Sequence, residues 1–229
     1  MEKPKDMIYV VAAIGSIVAA VCMAVFYVLA LFFPVLFNMG TPAERMAYLL
    51  SNPGLRSIAW YLALTWSIGE IPVGIGLFNL IKERDRSVAF LGIPFWLMGV
   101  AAQFLAYTLR FNLLRGVTGG LLSPQTFAFL DGLGFAWEST GVMLLSVAVL
   151  VFGFVLIREQ GLLRIAGSLF VLEGATVITG YFLILTSTIA VASECLFDMG
   201  MLFYGLIGAG LLIICFGLMA PIFLRSGKI

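Results

Sequence analysis

The sequence predicts an all-α polytopic membrane protein: one helical bundle over residues 1–229 with about six transmembrane helices. Three observations predict it. The 229-residue chain is 62% hydrophobic and only 11% charged, where a soluble domain carries about 25% charged residues. Its apolar residues fall into runs that each reach the roughly 20 residues needed to cross the hydrocarbon of a bilayer. Lysine and arginine collect at alternate boundaries of those runs.

The first span is Met7–Phe37, within an uncharged run that reaches Ala43. It is far longer than the roughly 7–15-residue apolar core of a signal peptide, so it reads as a retained membrane helix. "GTPAERMAYLL" follows. Thr41 is placed to cap a helix, Pro42 to occupy its first position and Glu44 to close a capping box. A short helix near the outer interface is expected there, with "SNPG" turning the chain into the second span, Ser57–Ile81. "KERDRS" ends that span and leads to the third, Val88–Leu109.

Arg110–Gly132 reads as a structured outer connector or a lid over the bundle. In it Ser123 and Pro124 form a helix start, and Leu121, Phe127 and Phe129 reach the membrane surface or cap the bundle. The fourth span is Leu133–Ile157, "REQG" makes a minimal turn, and the fifth and sixth spans are Leu162–Thr186 and Met199–Leu224.

Charge placement orients the chain. Lys3, Lys5, Lys82, Arg84, Arg86, Arg158, Arg164, Arg225 and Lys228 fall on one side, and Arg45, Arg56, Arg110 and Arg115 on the other. The positive-inside rule then puts both termini in the cytoplasm of a cell (plasma) membrane protein. Arg110 and Arg164, near the interfaces, are expected to snorkel to headgroups.

Composition removes several function classes. A net charge of +1 leaves no electrostatic footprint for nucleic acid. The chain contains no histidine, which excludes His-ligated haem or zinc and an imidazole base; no particular cofactor or metal is indicated. Cys22, Cys195 and Cys215 form no CxxC pair, so neither a disulfide framework nor an iron–sulfur cluster is expected. No phosphate-loop, dinucleotide, nucleophile-elbow or zinc-protease pattern is present.

Two stretches repeat. "FNLIKE" (Phe78–Glu83) matches "FVLIRE" (Phe154–Glu159), and "GIPFWLMG" (Gly92–Gly99) matches "GSLFVLEG" (Gly167–Gly174). Spans two and three thus correspond to spans four and five in the same orientation, a possible parallel internal repeat. The alternative is that any helical hairpin recurs in basic boundaries and packing glycines.

The chemistry rests on acids inside the spans. Glu70 lies about 18 Å from Lys82 at ~1.5 Å per residue, near mid-membrane, and Glu173 about 15 Å from the inner end of its span. Glu138 is shallower and nearer the outer face. A charged carboxylate facing lipid at such depth costs at least ~2.5–3.5 kcal/mol, so these residues should face protein or water. Ser67 and Gly74 share the face of Glu70, Gly134 and Gly141 that of Glu138, and Thr176 and Gly180 that of Glu173. Pro72 and Pro94 each free a backbone carbonyl one turn earlier, near Ile68 and Phe90.

Glu70 and Glu173 are therefore candidate ligand-binding residues at mid-depth, with Glu138, Gln103, Tyr107 and Arg110 in an outer vestibule. The bland alternative is a set of protonated glutamates hydrogen-bonded across helices. Trp60 and Trp137 suit interfacial belts, while Trp66 and Trp96 are deeper and either pack or line a pocket.

The order "YLLSNPGLRSIAWYL", "IGLFNLIKERDRSVAFLG", "LIREQGLLRIAG" resembles domain-of-unknown-function family 4386, multi-pass membrane proteins of bacteria and archaea of about this length. Arg164 stands where that family has an R/K–LPRW-like turn, a departure from its pattern. The resemblance implies the helical membrane fold over most of the chain. The family carries no settled activity, so it implies no mechanism.

Two function classes follow. One is a transporter-like or ligand/cation-binding bundle using the mid-membrane glutamates. The other is a non-catalytic accessory subunit packed against a partner membrane protein or another copy of itself. An enzyme is the weaker reading, because no nucleophile with a positioned base is visible.

Overall fold

The computed structural model describes residues 4–32, 42–189 and 199–227. Among these the chain is helical, with no strand. α1 is Pro4–Phe32, α2 Pro42–Ser51, α3 Pro53–Lys82, α4 Arg86–Thr118, α5 Pro124–Leu156 and α6 Leu162–Ile189. α7, Met199–Ser226, contains a π-helical stretch, Leu202–Ile207, before it continues as Gly208–Ser226. α1 and α3–α7 are long and apolar enough to span a bilayer, and the chain is an integral membrane protein. Thr41, Cys195, Glu194, Asp198 and the end of the first expected span at Phe37 lie outside the described residues.

The six long helices form a closed ring. α1 packs on α3, α3 on α4, α4 on α5, α5 on α6, α6 on α7, and α7 returns to α1. α2 lies outside the ring against α3, α4 and α5, with Leu49 buried. The α3–α4 and α5–α6 turns lie at one end of the ring, here the turn end. The stacked rings of Tyr9 and Phe223, 6.1 Å apart, bring the first and last helices together at the same end. α2 and the α4–α5 connection form the opposite, cap end.

Apolar burial cannot drive helix association in lipid, so close contact has to. Glycine supplies it between neighbours. A Cβ on Gly69 would lie 2.9 Å from the Gly15 carbonyl oxygen, which holds α1 against α3. A Cβ on Gly99 would lie 2.7 Å from the Gly141 carbonyl oxygen, and the reverse holds at the same distance, so α4 and α5 cross backbone to backbone. Gly180 and Gly200 do the same for α6 and α7.

The matched stretches form two hairpins with their turns at one end, and Arg84 of the first turn pairs with Glu159 of the second at 3.0 Å. Asp85 caps α4 by accepting from the Val88 amide at 3.0 Å. Gly161 closes the other turn at φ +62°, where a side chain is strained. Yet the glycine pairs of the repeat have unlike neighbours. Gly92 and Gly99 of α4 face α5, the next helix, whereas Gly167 and Gly174 of α6 face α5, the preceding one. α5 thus packs on both, and α1 and α7 are members of the ring.

One expectation is corrected. Arg110–Gly132 is not a long connector: α4 runs on to Thr118, α5 begins at Pro124, and Ser123 caps α5 by accepting from the Thr126 amide at 3.2 Å. The charges read as the end of a span sit inside helices and neutralise one another across the α4–α5 contact, so they do not end the helices. Phe127 is buried there, while Leu121 and Phe129 project outward.

Candidate functional site

Glu70 sits mid-way along α3, on a turn loosened by Pro72. The proline has no N–H to give, so the carbonyl left without its helical donor is that of Ile68, four residues earlier. The carbonyl of Glu70 takes a donor from the next helix: the indole Nε1 of Trp96 on α4 donates to it at 2.9 Å. The indole fits because residue 74 is glycine, since a Cβ there would fall on the ring. The Glu70 side chain is 0% exposed, and both its carboxylate oxygens lack a hydrogen-bond partner among the described residues. Each such group costs about 1–3 kcal/mol, more if charged, so the arrangement is not one that stability selects.

Glu173, on α6, is 1% exposed. Ser146 of α5 donates to its Oε1 at 3.2 Å, and Oε2 has no partner among the described residues. Gln103 is buried too, its amide oxygen accepting from the Trp66 indole at 3.4 Å.

Glu138 is differently placed. Its side chain is 21% exposed and is held by Arg110, while the Tyr107 hydroxyl donates to Oε1 at 3.3 Å. Arg110 also lies 3.8 Å from Asp131 Oδ1. The snorkelling expected of Arg110 is therefore wrong. It is 6% exposed and stays inside because α5 presents Glu138 and Asp131 to it. Gly134 leaves it space: a Cβ there would lie 3.2 Å from Arg110 Cγ. Trp60, expected in an interfacial belt, is instead buried within the bundle, with the guanidinium groups of Arg110 and Arg56 5.2 Å and 5.8 Å from its ring centre. Arg164 is exposed at the start of α6.

The three glutamates open on one cavity inside the ring. Of the six residues singled out in the sequence, Glu70, Gln103, Tyr107, Glu138 and Glu173 line it together and Arg110 does not, and every one of the six long helices contributes to its wall. Its volume is about 40 Å³. A single water needs roughly 10–15 Å³ on this measure, so the cavity holds a few waters or one small ion and not an organic solute. Toward the turn end it is closed by fully buried rings, with Trp96 6.3 Å from both Phe152 and Phe216. Toward the cap end lies the partly exposed Glu138.

The wall also holds three aromatic residues that the sequence does not single out as site residues: Tyr27 of α1, Trp66 of α3 and Tyr204 of α7. Tyr204 lies in the π-helical stretch, and its buried hydroxyl lacks a partner among the described residues. π-helical turns concentrate at functional sites. The signal available in the sequence was the run of glycines around it, Gly200, Gly205, Gly208 and Gly210.

No family model matches the chain, and neither the curated proteins nor the solved structures hold a match.

Proposed function

We propose that this protein is a transporter-like, small-cation-binding bundle of the plasma membrane, with both termini in the cytoplasm and Glu70 and Glu173 as the mid-membrane binding pair. One observation carries the reading: two buried carboxylates from α3 and α6, with three oxygens lacking partners among the described residues, share one small cavity. Intramembrane acids of this kind mark ion or proton pathways. The volume sets the ligand size, and the acids set its sign. Glu138, paired with Arg110, stands at the cap-end mouth.

Ligand linkage tests the reading. A cation that binds the folded bundle raises its stability by about 2.7 kcal/mol at a hundred times its dissociation constant. Thermal unfolding of the detergent-solubilised protein is followed across pH and across alkali and alkaline-earth chlorides. The expected result is a midpoint that rises with one cation, protons included, in the wild type and not in Glu70→Gln. A midpoint that depends on no cation through Glu70 removes the binding site and favours an accessory subunit.

A further inference from the structure

We propose that the cation this site takes is the proton, passed from Glu138 to Glu70 through the hydroxyl of Tyr107. The inference rests on the cation-site reading above and specifies its ligand and its route.

The route is drawn by hydroxyls. Tyr107 donates to Glu138 Oε1 at 3.3 Å, and it lines the same small cavity as Glu138 and Glu70. Tyr204 and Tyr27 line the same cavity. The groups that carry or exchange charge around Glu70 are thus Tyr27 from α1, Tyr107 from α4, Glu138 from α5, Glu173 from α6 and Tyr204 from α7. Arg110 pairs with Glu138. A phenol both gives and accepts a proton. When Glu138 receives a proton from the cap end it passes it to the Tyr107 oxygen. Tyr107 releases its own hydroxyl proton toward Glu70, directly or over a cavity water, and rotation of the hydroxyl resets it. One proton moves and no residue changes permanently.

The receiving end suits a proton better than a metal ion. A calcium ion takes six to eight oxygens and magnesium holds its waters. The pair offers three partnerless carboxylate oxygens, Gln103 already accepts from Trp66, and about 40 Å³ cannot house a hydrated ion. Two nearby carboxylates in a water-poor interior cannot both stay charged without a counter-cation, and a proton needs no room.

The test is a rapid pH drop on the purified full-length protein in detergent, with the infrared band of protonated carboxyl followed in time. The expected wild-type result is a buried-carboxyl signal that Glu70→Gln removes. Tyr107→Phe keeps the ring and the final amplitude but slows the rise about tenfold, and Tyr204→Phe, a second variant should Tyr107→Phe fold poorly, slows it less. Sodium, potassium, magnesium and calcium chlorides leave the amplitude unchanged.

A wild-type rate in both tyrosine variants overturns the route. Loss of amplitude with one metal chloride makes that metal the ligand, overturning the proton while the cation site stands. A signal that Glu70→Gln leaves intact, or no signal at any pH together with no effect of any metal, overturns both.

Discussion

The indole of Trp96 on α4 holds the backbone carbonyl of Glu70 on α3 at 2.9 Å, and it reaches there through the gap left by Gly74. One residue thereby fastens the acid-bearing turn and, stacked on Phe152 and edge-on to Phe216, closes the cavity at its turn end.

Trp96→Phe is expected to destabilise the bundle by about 1–3 kcal/mol, through the lost hydrogen bond and the smaller ring. Gly74→Ala should cost a similar ~1–3 kcal/mol for the opposite reason, since its methyl must displace the indole. Thermal unfolding in detergent measures both. If they act on the one contact, the double variant loses less than the two single losses combined.

Glu70→Leu and Glu173→Leu should diverge. Glu70 has two oxygens without partners, so an apolar side chain of similar size should leave stability unchanged or raise it by about 1–3 kcal/mol. Glu173→Leu also strands the Ser146 hydroxyl and should gain less. Both should abolish ligand-dependent stabilisation. Unfolding midpoints with and without the stabilising cation separate the two effects.

Arg110→Ala leaves Glu138 and Asp131 beside each other without their shared cation. Breaking a buried pair in this way costs about 3–5 kcal/mol, with the lower end expected because Glu138 is 21% exposed. Adding Glu138→Gln should restore part of the loss. A double-mutant cycle on unfolding free energies checks it, and equal losses in the single and double variants would contradict the pairing.

Gly99→Ala puts a methyl 2.7 Å from the Gly141 carbonyl oxygen. No flexible side chain can give way there, so α4 and α5 must separate, at about 1–3 kcal/mol. Gly217→Ala is the control, because nothing lies within 4 Å of its added Cβ; it should keep the wild-type midpoint.

Much of this was legible in the chain. Glu70, Glu138 and Glu173 announced themselves because charge inside an apolar run is expensive, and Gly74 and Gly141 showed which faces turn inward. The length of α4 and α5 was not legible. Arg110 and Asp131 look like the ends of spans when read singly, and only their pairing across two helices makes them interior residues. Trp60 was misread for the same reason, its neighbours Arg56 and Arg110 being 4 and 50 positions away. Tyr204 is marked only indirectly, by the glycines around it, because a phenol in an apolar segment carries no penalty of its own.

The sequence by itself determined that the chain is helical, that it spans a membrane with six long helices and which acids lie inside, because hydropathy and the cost of burying charge are local properties. The tertiary structure decided that the six helices close into a ring, that α5 packs on both glycine pairs of the repeat, and that Glu70, Glu173 and Glu138 meet in one cavity rather than in separate dry contacts. Those outcomes depend on which helix face meets which, and that is set by backbone approach at the glycines, between residues far apart in the chain.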